Sequence, residues 1–350
     1  MAKVMSAMSG GVDSSVATAL LKEQGYEVIG ATLRLFEPEG IPSSEVAAAK
    51  DVCDALGVPH MVYDMKTEFE REVICRFSSQ YGQGLTPNPC IECNKYIKFG
   101  LLLDKAIKAG CDYIATGHYS RIGQDKENGR FVLYRPDDRK KDQTYVLWRL
   151  SQHQLSHILM PLGDLTKDRV RSIAEEYGFV SARAKESQDI CFVPDGDYAA
   201  FLQGFEKTSF KKGCYVDING NLLGEHQGHQ CYTVGQRKGL GIALGKPQFV
   251  ISKDPVTNKV VLGDEEHLFK KHIYIKDVNM IATEFPASSV ACTAKLRYSA
   301  RDEACILHPV GEKEAVLEFE KPQRAPSPGQ SAVFYLDDAV LGGGKIVRGE

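Results

Sequence analysis

The stretch Ser9-Gly10-Gly11-Val12-Asp13-Ser14-Ser15 constrains this chain more than any other. It follows the short apolar run Lys3–Met8 and precedes Val16, Ala17, Leu20 and Leu21, whose spacing is helical. The order strand, glycine turn, helix builds an anion site. Two glycines permit a sharp turn and a close backbone approach. Ser14 and Ser15 fall at a helix start, where unpaired N–H groups and the helix dipole attract negative charge. No Gly-Lys-Ser/Thr run completes a Walker A loop, and no G-x-G-x-x-G completes a dinucleotide fingerprint.

The residues around that loop predict an α/β domain. Strands are expected at Lys3–Met8, Glu27–Leu35, His60–Asp64 and Asp112–Ala115. Helices are expected at Asp13–Gln24, Ser43–Leu56, Lys66–Tyr81 and Lys95–Ala109. This βαβα order implies a parallel sheet with helices on both faces. Ligands bind such sheets at the carboxyl ends of the strands, where the glycine loop, Thr32-Leu33 and Thr116-Gly117-His118 fall. Tyr119–Arg135 reads as a hairpin around Glu127-Asn128-Gly129, and Asp164–Gly178 as an amphipathic helix. From about Lys211 the pattern turns to short strands with turn signals such as Asn219-Gly220 and Asp254-Pro255. Three domains are expected: a catalytic domain at 1–205, a small β-rich domain at 206–268 and a C-terminal β domain at 269–350.

The chain has 350 residues, 43% hydrophobic and 25% charged, as in soluble globular proteins. It has no 18-residue apolar run and no signal-peptide pattern, so neither membrane span nor secretion is expected. Ten cysteines without a secretion signal predict a reducing, cytoplasmic setting. The net charge of −3 is uninformative, but residues 203–275 carry 10 Lys+Arg against 7 Asp+Glu. Basic clusters at Arg139-Lys140-Lys141, Arg237-Lys238 and Lys295/Arg297/Arg301 could supply phosphate contacts if they converge.

Three cysteines stand apart. Thr86-Pro87-Asn88-Pro89-Cys90-Ile91-Glu92-Cys93-Asn94 reads as a rigid proline loop leading into a helix near Lys95. A thiol there, beside Lys95 and Lys98, is expected to have a depressed pKa. Cys191, in Glu186-Ser187-Gln188-Asp189-Ile190-Cys191-Phe192, is the third. Cys53, Cys75 and Cys111 read as small buried hydrophobes.

The string S-G-G-x-D-S resembles the PP-loop of ATP pyrophosphatases. Five further motifs occur with it in one order: Pro-Asn-Pro-x-x-x-Cys-Asn, Thr-Gly-His-Tyr, Lys141-Asp142-Gln143, Ile190-Cys191-Phe192 and Gly235-Gln236-Arg237-Lys238-Gly239-Leu240-Gly241. Six motifs in register resemble the tRNA-specific 2-thiouridylase family over essentially the whole chain. That resemblance implies a PP-loop domain, a small central domain and a C-terminal β-barrel. It implies adenylation of C2 of the wobble uridine by ATP with Mg²⁺, then displacement of AMP by sulfur. Ala7, Met8, Ser9, Gly10, Gly11, Val12, Asp13, Ser14, Leu33 and Gly117 would contact ATP. Cys93 would be the nucleophile and Cys191 the persulfide carrier. Asn88, Pro89 and Cys90 would meet the target base, and Lys141, Asp142, Gln143, Arg297 and Tyr298 would touch tRNA. A sulfur-donor protein or sulfide source and a monomeric enzyme are also expected.

Position 90 is often Asp in that family and is Cys90 here. Cys90, Cys93 and Cys191 could together hold a [4Fe–4S] cluster with one open iron. Alternatively, Cys93 and Cys191 form a catalytic pair with Cys90 as a spare thiol. Cys214, His226, His229 and Cys231 are spaced too irregularly for a zinc set. Gly342-Gly343-Gly344 reads as a terminal turn, and Trp148 and Tyr145 read as core rather than as a base-stacking platform. Two rival functions remain: a PP-loop ligase or amidotransferase for a small metabolite, and a non-catalytic RNA-binding protein.

Overall fold

The computed structural model describes residues 1–36, 44–180, 190–193, 195–207 and 209–350. Ser43, the expected start of the second helix, and the Glu186–Asp189 stretch lie outside the described residues. Strands β1 (Lys3–Ala7), β2 (Glu27–Arg34), β3 (His60–Asp64), β4 (Tyr113–Ala115) and β7 (Ile158–Leu159) form one parallel sheet in the order β3-β2-β1-β4-β7. Both faces are covered, as a parallel sheet requires. Val4 points into a core with Val16, Val52 and Val170, contributed by α1 (Val12–Glu23), α2 (Ser44–Leu56) and the helix Lys167–Glu176. Its neighbour Met5 points into the opposite core, with Phe69, Phe77, Ile97 and Leu102 from the helical segments 66–82 and 89–108.

Strands β8 (Gly213–Val216), β9 (Leu222–His226), β10 (Phe249–Asp254) and β11 (Lys259–Gly263) make a second sheet, ordered β10-β11-β8-β9. Strands β12 (Phe269–Met280), β13 (Val290–Lys295), β14 (Glu303–Gly311), β15 (Glu314–Arg324), β16 (Ser331–Leu336) and β17 (Ala339–Gly349) run β12-β15-β14-β13-β16-β17 and close into a barrel through β12–β17 pairing. The hairpin β5 (Arg121–Gln124) and β6 (Phe131–Tyr134) leaves the first domain to join the barrel sheet, Tyr134 pairing with Ala339.

Three local expectations are corrected. The helical segment containing Cys93 begins at Pro89, not near Lys95, because Asn88 caps it: its side chain accepts from the Cys90 N–H at 3.0 Å, and proline suits the first helical position. Cys75 is exposed rather than buried, whereas Cys53 and Cys111 are buried. Gly342-Gly343-Gly344 is no turn but the middle of β17. A Cβ on Gly343 would come within 2.6 Å of the Trp148 ring. Trp148 is fully buried there, and its Nε1–H donates to Ser331 Oγ at 3.1 Å. This packing docks the barrel onto the first domain.

His226 and His229 also have structural places. His226 packs edge-to-face on Tyr215, and His229 bridges Asn258 and the Gly82 carbonyl, tying the central sheet to the first domain.

Candidate active site

The glycine loop lies at the carboxyl end of β1. Gly10 has φ +73°, a conformation glycine adopts without strain, and a Cβ there would come within 2.9 Å of the Glu45 carbonyl and Ala48. Gly11 caps α1 with no side chain, leaving its first N–H groups for a ligand. The hydroxyls of Ser14 and Ser15 turn back to the Gly11 carbonyl at 3.0 and 2.9 Å, and Ser14 Oγ also accepts from the Ser9 N–H. The loop is therefore fixed by its own side chains.

A cavity of about 260 Å³ opens beside it, lined by Met8, Ser9, Asp13, Ser14, Leu33 and Gly117, with Ala7, Lys98 and Gln143 also on its wall. Of the residues expected at ATP, Gly10, Gly11 and Val12 do not line it. Val12 is buried in the core, and the two glycines shape the turn. Gly117 is essential to this geometry: a Cβ there would stand 2.7 Å from the Asp13 carbonyl carbon and 2.8 Å from the Ser14 nitrogen. Next to it, His118 Nδ1 lies 2.7 Å from Thr116 Oγ1, and burial holds the imidazole neutral, well below its usual range.

Asp13 does not point freely into the cavity. Lys167 Nζ donates to both carboxylate oxygens at 2.7 and 2.9 Å, and Tyr119 Oη donates to one at 2.8 Å. Tyr119 belongs to the Thr-Gly-His-Tyr motif without this bond being legible in it, and the sequence does not single out Lys167, which follows the Thr166 cap of a helix that reads only as amphipathic. A Lys167→Met variant should lose about 2 kcal/mol of stability in urea unfolding. In a double-mutant cycle with Asp13→Asn, the two losses should couple by about 1 kcal/mol or more; additive losses would show the pair to be idle.

Lys98, on the cavity wall, also acts on three cysteines through its charge: Cys90, Cys93 and Cys191. Cys93 is buried, whereas Cys90 and Cys191 are exposed. Burial pushes the Cys93 thiol up to about 12; Lys98 opposes this, and the nearby Cys191 and Cys90 add to it. Cys191 is pushed up to about 11, again mainly by desolvation, with Cys90 adding to it. The expected depression of Cys93 is thus overturned. The thiol sits inside the helical segment rather than at its dipole-rich end, and its desolvation exceeds the effect of Lys98. Lys95 instead lies 5.0 Å over the Tyr96 ring. The 98 positions separating Cys93 and Cys191 in sequence are bridged in space. Among the described residues, however, no three Cys, His, Asp or Glu side chains converge closely enough to hold a metal ion.

The barrel closes over the cysteine turn. The Thr86 N–H donates to the Pro328 carbonyl at 2.8 Å. Glu92, buried between Cys90 and Cys93, is bound by Arg149 at 2.6 Å and by Lys345 of β17 at 3.5 Å. Tyr298 is exposed, packs edge-to-face on Tyr145, and is raised by burial and then by Asp142 and Cys90, so its loop faces the cysteines. Arg297 is exposed and donates to the Arg324 carbonyl. Asp142 turns inward, capping Thr144 at 2.9 Å with Arg135 3.9 Å away. Gln143 accepts from the Tyr119 N–H at 2.8 Å. Lys141 ends a short helical turn next to them.

Comparison with known proteins agrees with this architecture. Family models match in order: a tRNA methyl transferase HUP domain at residues 2–195, a tRNA methyl transferase PRC-barrel domain at 199–264 and an aminomethyltransferase β-barrel domain at 270–346. The chain is similar to tRNA-specific 2-thiouridylase MnmA of Moorella thermoacetica, at 50% identity over 98% of both chains. It is 46% identical to that of Carboxydothermus hydrogenoformans and 47% to that of Clostridioides difficile, each over 99% of this chain and 98% of the relative. Full-length identity at this level, with the six motifs in register, means that the chain belongs to the tRNA-specific 2-thiouridylase family.

Proposed function

We propose that this protein uses ATP to replace the C2 oxygen of a tRNA wobble uridine with sulfur. The observation carrying this reading is the placement of three thiols beside a glycine-loop cavity, with Lys98 common to both. The uridine oxygen attacks the α-phosphorus of ATP, and pyrophosphate leaves from the N–H groups at the start of α1. The loop residues Ala7–Ser14, with Leu33 and Gly117, hold the nucleotide. Mg²⁺ would travel with ATP. Both Asp13 oxygens are held by Lys167, so no step is assigned to a resident ion.

Among the described residues the cysteine trio is not drawn together as a [4Fe–4S] cluster needs, which supports the reading that the protein itself carries the sulfur. Exposed Cys191 attacks the outer sulfur of a donor protein's persulfide; the donor's S–S bond breaks, its thiol leaves, and Cys191 carries the sulfane sulfur. That terminal sulfur attacks C2; the C–S bond forms and the C–O bond to AMP breaks. Cys93 then attacks the Cys191 Sγ, breaking the S–S bond. This releases 2-thiouridine and leaves a Cys93–Cys191 disulfide, which a cellular dithiol reduces. Asn88, Pro89 and Cys90 receive the base. Lys141, Gln143, Arg297 and Tyr298 touch the tRNA, and Asp142 shapes their loop. Domain limits of 1–205, 206–268 and 269–350 and a cytoplasmic monomer complete the reading; no helix of the described residues is long and apolar enough to cross a membrane.

The test is pyrophosphate release with and without tRNA, together with nucleoside mass spectrometry for 2-thiouridine. Release that ignores tRNA would favour a small-metabolite ligase, and no release would favour a non-catalytic RNA binder. A second expectation concerns the exposed pair Arg237 and Lys238, on the glycine-rich loop beside a cavity of about 410 Å³. Changing both to Gln should flatten the log–log salt dependence of tRNA affinity by about one unit per lost phosphate contact. An unchanged slope would mean that these charges face away from the tRNA.

A further inference from the structure

The segment Cys93–Leu101 is a nine-residue π-helix, closed at its end by the Leu102 N–H donating to the Ile97 carbonyl, five residues back. Such long π segments are rare and concentrate at functional sites. Their effect here is on Lys98, five positions after Cys93. In an α-helix, five residues advance about 500°, placing the two side chains about 140° apart. With i→i+5 bonding they return to nearly one face. Lys98 accordingly lines the nucleotide cavity with Ser9, Asp13, Ser14 and Gly117, and its charge also reaches Cys90, Cys93, Cys191 and His118. It is half-buried, and among the described residues it forms no ion pair. The cavity also holds the carboxyl groups of Asp13 and Glu45, but both Asp13 oxygens are bound to Lys167 and burial pushes the Glu45 carboxyl up, so the half-buried Lys98 ammonium is left to an incoming anion.

The chemistry selects which anion. After adenylation the β- and γ-phosphates have left, and only the α-phosphate remains attached to the base under sulfur attack. A cation shared by the cavity and the thiols therefore faces the α-phosphate. We propose, building on the thiolation reading, that Lys98 is a further site residue: the π-helix presents it to the α-phosphate of the adenylated uridine, where it neutralises the charge that departs with AMP.

Because Lys98 also lines the nucleotide cavity, Lys98→Gln should slow tRNA-dependent pyrophosphate release too, but at least about tenfold less than it slows the sulfur step. It should slow AMP release and 2-thiouridine formation by about 100-fold, the scale of losing one oriented charge-stabilising group, with the KM for tRNA little changed. Adenylated tRNA should accumulate in a single turnover. Lys98→Arg, which keeps the charge, should recover most of the loss. AMP release by Lys98→Gln within twofold of wild type would overturn the inference. So would equal damage to both variants with pyrophosphate release lost alongside, because that is what a merely structural residue gives. A wild-type protein that releases no pyrophosphate with tRNA would overturn the thiolation reading itself, which separates the two failures.

Discussion

Gly117→Ala should reduce tRNA-dependent pyrophosphate release by about 100-fold while leaving the protein folded. The added methyl group would stand 2.7 Å from the Asp13 carbonyl carbon and 2.8 Å from the Ser14 nitrogen. Both are main-chain atoms of the first turn of α1, so no side-chain rotation relieves the contact. The loop 116–118 or the start of α1 must move by several tenths of an ångström, and displacements approaching 1 Å in a reacting site cost about 100-fold in rate. The Asp13–Lys167–Tyr119 bonds would be strained by the same shift, because Tyr119 lies two residues from Gly117. Gly204→Ala is the control. That glycine lies within the helix Tyr198–Glu206 with nothing within 4 Å of a new methyl group, so alanine should be neutral or stabilising by up to about 1 kcal/mol. Unchanged release by Gly117→Ala would show that the cavity tolerates displacement of α1 and is not where ATP reacts.

The glycine loop and the parallel sheet were legible because both rest on local signals: residue spacing, two glycines and a helix start. The β-rich second half was legible from its turns. What the sequence could not display was long-range pairing. Nothing local to Tyr119 or Lys167 announces that both converge on Asp13, 106 and 154 residues away. Gly343 looks like turn chemistry until Trp148, far away in sequence, is seen filling the space a side chain would take. Prolines at 87 and 89 suggest an extended loop, and only the Asn88 cap shows that Pro89 opens a helix. The Cys93 thiol was misread for a related reason. Position in a helix can be judged from sequence, but burial, which here dominates its acidity, cannot.

Cys93→Ser and Cys191→Ser should each abolish 2-thiouridine formation, by at least about 1000-fold, while tRNA-dependent pyrophosphate release continues. Adenylation uses the glycine loop and needs no sulfur, so the two activities separate at these residues. Cys90→Ser should keep at least about half of wild-type thiolation, because a persulfide relay uses two sulfurs. The thiol chemistry gives a second readout. With its thiol pushed up to about 12, Cys93 is protonated in the resting enzyme. At pH 8 only a small minority of molecules carries the thiolate, the form that reacts. Its alkylation by iodoacetamide should therefore be slow and should rise about tenfold per pH unit from 8 to 11. Cys191, exposed and pushed up to about 11, should react first. This order suits the relay: the accessible thiol takes sulfur from the donor, and the buried one acts only once the persulfide has reacted beside it. After turnover without reductant, peptide mapping should find a Cys93–Cys191 disulfide and no Cys90 disulfide. A dead Cys90→Ser enzyme, with about four irons per chain in anaerobically purified protein, would replace the relay by a three-thiolate cluster. That outcome would require the cysteine turn and the chain around Cys191 to draw closer than their present placement, in which no three such ligands converge.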